Sequence, residues 1–363
     1  MNSKIGLVTW YNLGYNYGTM LQAFATSTFL VKNGFMVDII DLKKGKKQCF
    51  KMRLINFYLY FFNHKIFKRN INMKKWIDQN LEVKIFNSYE DLKKFQNNYF
   101  AFVCGSDQIW NNNNGKVNPF YYLQFAPYNK RIAYAPSIGR EFIPDDIQEE
   151  FAKYVKEIKY LSIREKKGAE IINKLTGIKC PVYADPTLLL CENEWINILK
   201  LKKTKEDKYI FVYLLNYNVK LLNEIKSYAK SVNVKIKYYV PKSKSIDHNL
   251  CDDPFTFLQN LYNSSYVITD SYHGMLFSIN FNKEFLIFKR FSNNDPINQN
   301  SRVFNILNEF KLGDRLLDNN NFKISFSRKI DYDFCNSILN EKRKESMKFL
   351  LNSINKIKSD GDI

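Results

Sequence analysis

The chain has 363 residues, more than a single hydrophobic core usually serves, so two domains are expected. Hydrophobic residues make up 45% and include 30 Phe and 24 Tyr, which excludes a disordered chain. Lys plus Arg is 55 against 36 Asp plus Glu, a net +19 that favours anionic partners such as nucleic acid, anionic lipid or phosphorylated substrates; a lysine-rich solvated surface gives the same number.

The first ten residues read as a strand and not as a secretory signal. Ile5–Thr9, Val37–Ile40, Phe100–Cys104, Ile132–Ala135 and Tyr160–Ile163 are short apolar runs suited to buried parallel strands. A second series follows at Tyr209–Leu214, Val234–Tyr239, Tyr266–Thr269 and Phe285–Phe288. Helical patterns alternate with them at Thr19–Lys32, Asp145–Lys156, Val219–Ser231 and Pro254–Asn263. Strand–helix alternation implies parallel sheets with right-handed crossovers. The expected fold class is α/β, with two doubly wound Rossmann-like domains facing a cleft. Residues 1–180 form the first domain, 181–330 the second, and 331–363 a terminal helix and tail that packs back on the first. Pro181, Pro186 and the polar run Leu201–Lys208 punctuate the boundary. The terminal helix carries an apolar stripe of Phe334, Ile338, Met347, Leu350 and Ile354.

Residues 42–77 stand apart. They hold eleven Lys or Arg, no Asp or Glu, and eight aromatics: Phe50, Phe57, Tyr58, Tyr60, Phe61, Phe62, Phe67 and Trp76. The apolar centre is far too short to cross a bilayer. A basic, aromatic segment of this kind suits either an interfacial helix or a helix packed on its own domain. Six cysteines at 49, 104, 180, 191, 251 and 335 form no CxxC pair and read as reduced, buried thiols. With no metal-ligand cluster, no cofactor and no metal are expected.

Four strand ends carry candidate chemistry. Asp270-Ser271-Tyr272-His273-Gly274 joins a strand to a helix, where helix N–H groups and positive potential suit a phosphate or carboxylate. His273 either moves a proton there or is satisfied by a carbonyl, and Gly274 would let a ligand approach the backbone. Gly105-Ser106-Asp107-Gln108-Ile109-Trp110-Asn111 offers Ser106, Asp107, Gln108 and Asn111 to sugar hydroxyls, with Trp110 as a platform; the alternative is a capping turn. Gly14 to Gln22 is a glycine loop before a helix, without dinucleotide-binding spacing. Arg164 is either a two-point clamp on a carboxylate or phosphate, or the partner of Glu165 or another acid. Asn300-Ser301-Arg302 opens a further helix at Val303–Phe310.

Taken together, Asn16-Tyr17-Gly18 with Leu21-Gln22, the 105–111 run, Ser162-Ile163-Arg164-Glu165, Ala184-Asp185-Pro186-Thr187 and Asp270 to Gly274 resemble the polysaccharide pyruvyl transferase family in order and spacing over roughly residues 4–315. The resemblance implies a glycosyltransferase-B-like fold and transfer of pyruvyl from phosphoenolpyruvate to a sugar diol, giving a cyclic ketal. It implies that Arg164 and His273 contact the donor; on the chemistry of the residues themselves, His273 is expected as the acid/base and Asp107 as the group that aligns an acceptor hydroxyl and acts as its base. Arg164, Ser271, Tyr272, Gly274 and Arg302 would hold the donor. Asn16, Tyr17, Gly18, Gln22, Ser106, Gln108, Trp110 and Asn111 would hold the acceptor. Some members carry an arginine where this chain has Ser271, so Arg302 or a lysine is expected to substitute.

The expected partners are phosphoenolpyruvate, a sugar acceptor that is free or lipid-linked, and an anionic membrane surface met peripherally from the cytoplasm. Nucleic acid is not expected, since the basic cluster matches no nucleic-acid motif. Two alternatives are a nucleotide-sugar-dependent glycosyltransferase of the same fold and a basic nucleic-acid-binding protein.

Overall fold

A computed structural model of the protein describes residues 4–112, 115–205, 208–216, 218–239, 253–291, 298–317, 324 and 326–361. His248 and Cys251 lie outside the described residues. The chain divides into two compact units. The first comprises residues up to Phe67, Lys74–Leu189 and the chain from Glu341 onward; the second comprises Lys68–Met73 and Leu190–Asn340. The main division falls at 189/190, later than residue 180.

In the first unit the strands are β1 (Lys4–Val8), β2 (Met36–Leu42), β3 (Val83–Phe86), β4 (Ala101–Cys104), β5 (Arg131–Ala133) and β6 (Tyr160–Leu161). They form one sheet in the order β3-β2-β1-β4-β5-β6, with every pairing parallel. β4 is buried along its whole length, which is why it reads as an unbroken apolar run. The crossover α1 (Tyr17–Lys32) links β1 to β2, and α2 (Lys46–Phe62) with α3 (His64–Asn80) links β2 to β3. The basic aromatic segment is therefore a crossover connection. α4 (Tyr89–Phe95), α5 (Gln148–Lys156) and α6 (Lys166–Thr176) complete the connections. The core gathers Val8, Phe102, Ile109, Trp110, Tyr122 and Phe151.

In the second unit α7 (Glu192–Leu199) precedes β7 (Tyr209–Tyr213), α8 (Val219–Ser231), β8 (Lys235–Tyr239), α9 (Pro254–Asn263), β9 (Tyr266–Thr269), α10 (Tyr272–Asn280), β10 (Glu284–Phe288), α11 (Ser301–Glu309) and β11 (Leu316–Leu317). The sheet order is β11-β10-β9-β7-β8, again parallel throughout. Ile210, Val212, Ile225, Ile268, Leu286 and Phe288 form its core.

The terminal helix α12 (Tyr332–Gly361) buries Cys335 and Leu339 in the second unit, and Ser346, Leu350, Ile354 and Ile357 in the first. Leu350 and Ile354 belong to the expected stripe, whereas Phe334, Ile338 and Met347 are only half-buried. Within the first unit, Ser346 Oγ accepts from the Ala184 amide at 3.0 Å and Phe349 stacks on Tyr183 at 4.7 Å. Two doubly wound parallel units are what a glycosyltransferase-B-like chain requires.

Both sheets have a point where strand order reverses: between β1 and β4 in the first, and between β7 and β9 in the second. Crossovers leave such a point on opposite faces, and the crevice beyond the strand carboxyl ends is where open α/β sheets bind ligands. The 105–111 run follows β4, and the Asp270–Gly274 run follows β9, so each strong motif stands at a switch point.

Candidate active site

In the first unit, Gly105 begins the site with φ +114, and a Cβ there would lie 2.1 Å from the Tyr134 carbonyl oxygen, so the turn admits only glycine. Asp107 follows at φ +60, a left-handed conformation uncommon outside glycine. It is held there by neighbours. Thr19 Oγ1 donates to Asp107 Oδ2 at 2.6 Å, the Gln108 amide donates to Oδ1 at 2.9 Å, and the Ser137 amide donates to the Asp107 carbonyl at 2.8 Å. A constrained carboxylate at a sheet switch point is the kind of locally costly arrangement found at working sites.

Gln22 fastens the loop from below. Its Nε2 donates to Thr9 Oγ1 at 2.9 Å and to the Trp10 carbonyl at 2.7 Å, while its Oε1 accepts from the Ser106 amide at 3.2 Å. Ser106 Oγ donates to the Ala135 carbonyl at 2.6 Å. Asn16 caps α1, accepting from the Gly18 and Thr19 amides at 2.9 and 3.3 Å.

These contacts redistribute the expected acceptor set. Gln22, Ser106, Tyr17 and Gly18 are buried scaffold that positions Asp107, rather than surface for a sugar. Trp110 is 0% exposed, stacks on Tyr122 at 4.9 Å and 5°, and donates Nε1 to the Tyr121 carbonyl; it is core and not a platform. Asn111 differs. It is 2% exposed, yet neither its Nδ2 nor its Oδ1 has a hydrogen-bond partner among the described residues. An unpartnered buried amide is costly unless something else pairs with it. Gln108 is half-buried beside Gly139, at whose position a Cβ would touch its Nε2.

Arg164 is also interior. Its side chain is 1% exposed, and Nη1 donates to Asp185 Oδ2 at 2.7 Å, with Asp107 Oδ1 4.0 Å from Nη1 and Glu165 Oε2 3.9 Å from Nε. Asp185 Oδ1 is bonded by the Thr187 amide and hydroxyl. Glu165 Oε1 accepts from Ser137 Oγ and from the Ile138 and Gly139 amides. The arginine thus anchors an acidic cluster whose outermost member is Asp107, which corrects its expected place as a two-point clamp on a ligand.

In the second unit, Thr269 ends β9 and its hydroxyl donates to the Tyr213 carbonyl at 2.6 Å, stitching the two strands that flank the switch point. Ser271 is the N-cap of α10: its Oγ accepts from the Gly274 amide at 3.3 Å, and its carbonyl accepts from Met275 at 2.9 Å. Those two N–H groups are therefore engaged within the helix. A Cβ on Gly274 would lie 2.6 Å from Thr269 Oγ1, so the glycine serves close helix–strand packing rather than approach by a ligand. His273 stands in the first turn of α10, buried and edge-on to Tyr272 at 5.5 Å. Arg302, from α11, donates Nη2 to Gln299 Oε1 at 3.0 Å and lies over the Tyr272 ring at 5.0 Å. Of the expected donor residues, Ser271, Tyr272, His273, Gly274 and Arg302 are thus gathered in one place.

Asp270 opens the motif. Its carboxylate accepts from the Leu215 and Asn216 amides at 2.6 and 2.9 Å, which ties the loop after β7 to the end of β9. Burial pushes its pKa above the usual carboxylate value, against the opposing pull of those amides and of Arg290. Asp270 lines a cavity of about 390 Å³ with Asn216, Asn218, Lys289 and Arg290. Lys289 and Arg290 follow β10 directly, and only the fold brings them to the motif.

Among the described residues, no group of three or more His, Cys, Asp or Glu is placed to hold a metal ion, and no helix is long and apolar enough to cross a membrane.

A solved structure supports the fold. The UDP-GlcNAc 2-epimerase of Neisseria meningitidis, bound to UDP-GlcNAc, superposes with a TM-score of 0.51 at 10% identity, over 97% of this chain and 100% of that one. The wall teichoic acid polymerase TagF gives a TM-score of 0.44 at 10% identity, over 99% and 84%. No curated protein matches the sequence. The family model for polysaccharide pyruvyl transferase matches residues 16–292, a span that runs from the Asn16 cap through Asp107 and Arg164 to the turn at His273 and the basic pair after β10. The chain belongs to the polysaccharide pyruvyl transferase family.

Proposed function

We propose that the protein moves the pyruvyl group of phosphoenolpyruvate onto two hydroxyls of a sugar in a polysaccharide or its lipid-linked precursor, forming a cyclic ketal and releasing phosphate. The observation that carries this reading is that the family match spans both switch-point motifs. Each motif has the chemistry one substrate needs.

The donor is a small molecule with a carboxylate and a phosphate. The second unit offers it the positive end of α10, Arg302 beside Tyr272, and Lys289 and Arg290 lining a cavity with Asp270. The acceptor is a diol. The first unit offers it the Asp107 carboxylate and the Asn111 amide.

Carbon 3 of phosphoenolpyruvate gains a proton from His273, and carbon 2 becomes electron-poor. One sugar hydroxyl bonds to carbon 2 and yields its proton to Asp107. The bond from carbon 2 to the phosphate oxygen breaks. The second hydroxyl closes the ketal, its proton leaving with phosphate. Fixed positive charge favours the departing phosphate. Arg164 acts through Asp107 as a positioning residue.

The test is incubation of the full chain with phosphoenolpyruvate and a panel of lipid-linked and nucleotide-linked sugars. The expected result is phosphate release matched by a product heavier than the acceptor by one pyruvate less one water. Consumption of a nucleotide sugar, with no phosphate release from phosphoenolpyruvate on any acceptor, would overturn the reading.

A further inference from the structure

We propose that the α2–α3 crossover seats this protein on the surface of an anionic bilayer. Every described side chain of α2 is exposed except that of Leu59, which is half-buried. Phe50, Leu54, Phe57 and Phe61 recur at i, i+4, i+7 and i+11, which on an α-helix makes one narrow stripe. The same geometry puts that stripe on the side opposite Leu59, pointing away from the protein. Phe57, Phe61 and the adjacent Phe62 are 64%, 61% and 74% exposed. The rings of Phe57 and Phe61 touch at 4.8 Å, so the apolar surface is continuous. A contiguous exposed apolar patch of this kind marks an interaction surface. At its base the segment is fixed: Trp76 and Ile77 of α3 are buried, and Trp76 packs on Phe24 at 5.4 Å.

Charge selects the occupant. Residues 42–77 carry eleven basic side chains and no acid, and Lys51 and Arg53 fall on either flank of the aromatic stripe by helical geometry. A second copy of the chain would bring two such basic faces together against repulsion. A nucleic acid would meet the charge but offers no apolar phase for Leu54 and Phe62. An anionic lipid surface answers both, with headgroups for the lysines and an acyl boundary for the rings. The helix lies on the bilayer rather than across it, since Lys51 and Arg53 interrupt its 17 residues and no described helix qualifies as a span. This surface rests on no part of the pyruvyl-transfer chemistry, so it stands or falls by its own test.

The test is co-sedimentation of the full chain with phosphatidylglycerol-containing vesicles and with pure phosphatidylcholine vesicles, at low and high salt. Binding to the anionic vesicles at low salt is expected, falling roughly tenfold or more at high salt as screening removes the charge contribution. Phe57→Ser with Phe61→Ser should lower partitioning roughly tenfold even at low salt, with an unchanged thermal melt because both rings are exposed. Should that pair melt early, Phe62→Ser alone carries the comparison. Absence of binding to anionic vesicles at low salt overturns the proposal, as does equal binding to neutral ones or undiminished binding of a folded serine variant. Dimerisation that the serine variants abolish, or binding of single-stranded nucleic acid without binding of vesicles, would assign the surface to those partners instead.

Discussion

Thr19, in the first turn of α1, donates its hydroxyl to Asp107 Oδ2 at 2.6 Å, joining the two elements that diverge at the β1/β4 switch point. The bond makes the direction of the Asp107 carboxylate a property of the fold. It also separates two variants. Asp107→Asn keeps a residue that tolerates φ +60 but removes the group that takes a proton, so turnover of the folded variant should fall about 10²–10⁴-fold. Thr19→Val removes only the aim, and a loss of roughly tenfold to a hundredfold in kcat is expected, with donor KM unaltered. Wild-type turnover in a folded Asp107→Asn variant would take the residue out of the chemistry.

Arg164 and Asp185 form an ion pair whose side chains are 1% and 0% exposed, with N···O 2.7 Å. Removing one partner of such a pair strands the other in a medium that solvates charge poorly. Arg164→Ala should therefore cost about 3–5 kcal/mol of stability, read by chemical denaturation. Arg164→Lys keeps the charge and should retain part of the stability, with kcat reduced and phosphoenolpyruvate affinity unchanged. Weaker donor binding in a stable Arg164→Lys variant would restore the arginine to direct contact with the donor.

His273 is assigned the proton that reaches carbon 3. His273→Gln preserves size and polarity in the first turn of α10 but cannot serve as an acid, so it should lose about 10²–10⁴-fold in turnover. Calorimetry should still detect phosphoenolpyruvate binding, because Arg302, Lys289 and Arg290 are untouched. A folded His273→Gln variant that turns over normally would remove His273 from the mechanism. A variant that turns over normally once donor is saturating would make it a binding residue only.

What the sequence disclosed depended on whether a feature was local. β4 and β7 are fully buried parallel strands, so their apolar runs were plain. β3, Val83–Phe86, went unseen because its exposed middle residues make a poor apolar run, and β11 because it has two residues. The motifs at 105–111 and 270–274 were legible as turns at strand ends, yet the side-chain directions within them were not. Trp110 looked like a platform among polar neighbours, but after the left-handed turn at Asp107 the chain carries it into the core. The partners of Asp107 and Arg164 are 88 and 21 residues away, and no spacing rule reaches them. The aromatics of α2 could equally have been core; only their exposure in the fold decides that.

Asp270 supplies a prediction in pH. Burial raises its folded-state pKa above the unfolded value of about 4. The folded state therefore holds its proton over a window in which the unfolded state has lost it. The contribution to stability is complete below pH of about 4 and declines as pH rises through the folded-state pKa. Asp270→Asn has no such titration. Its amide also cannot accept both the Leu215 and Asn216 N–H groups, so it should be less stable by about 1–3 kcal/mol. Thermal melts of the two proteins across the acid to neutral range should show the gap between them shrinking as pH rises. A gap that widens instead would mean that the two amides and Arg290 outweigh burial. Asp270 would then serve the donor pocket as a fixed anion, holding Arg290 in place, rather than as a carboxyl that tends to keep its proton.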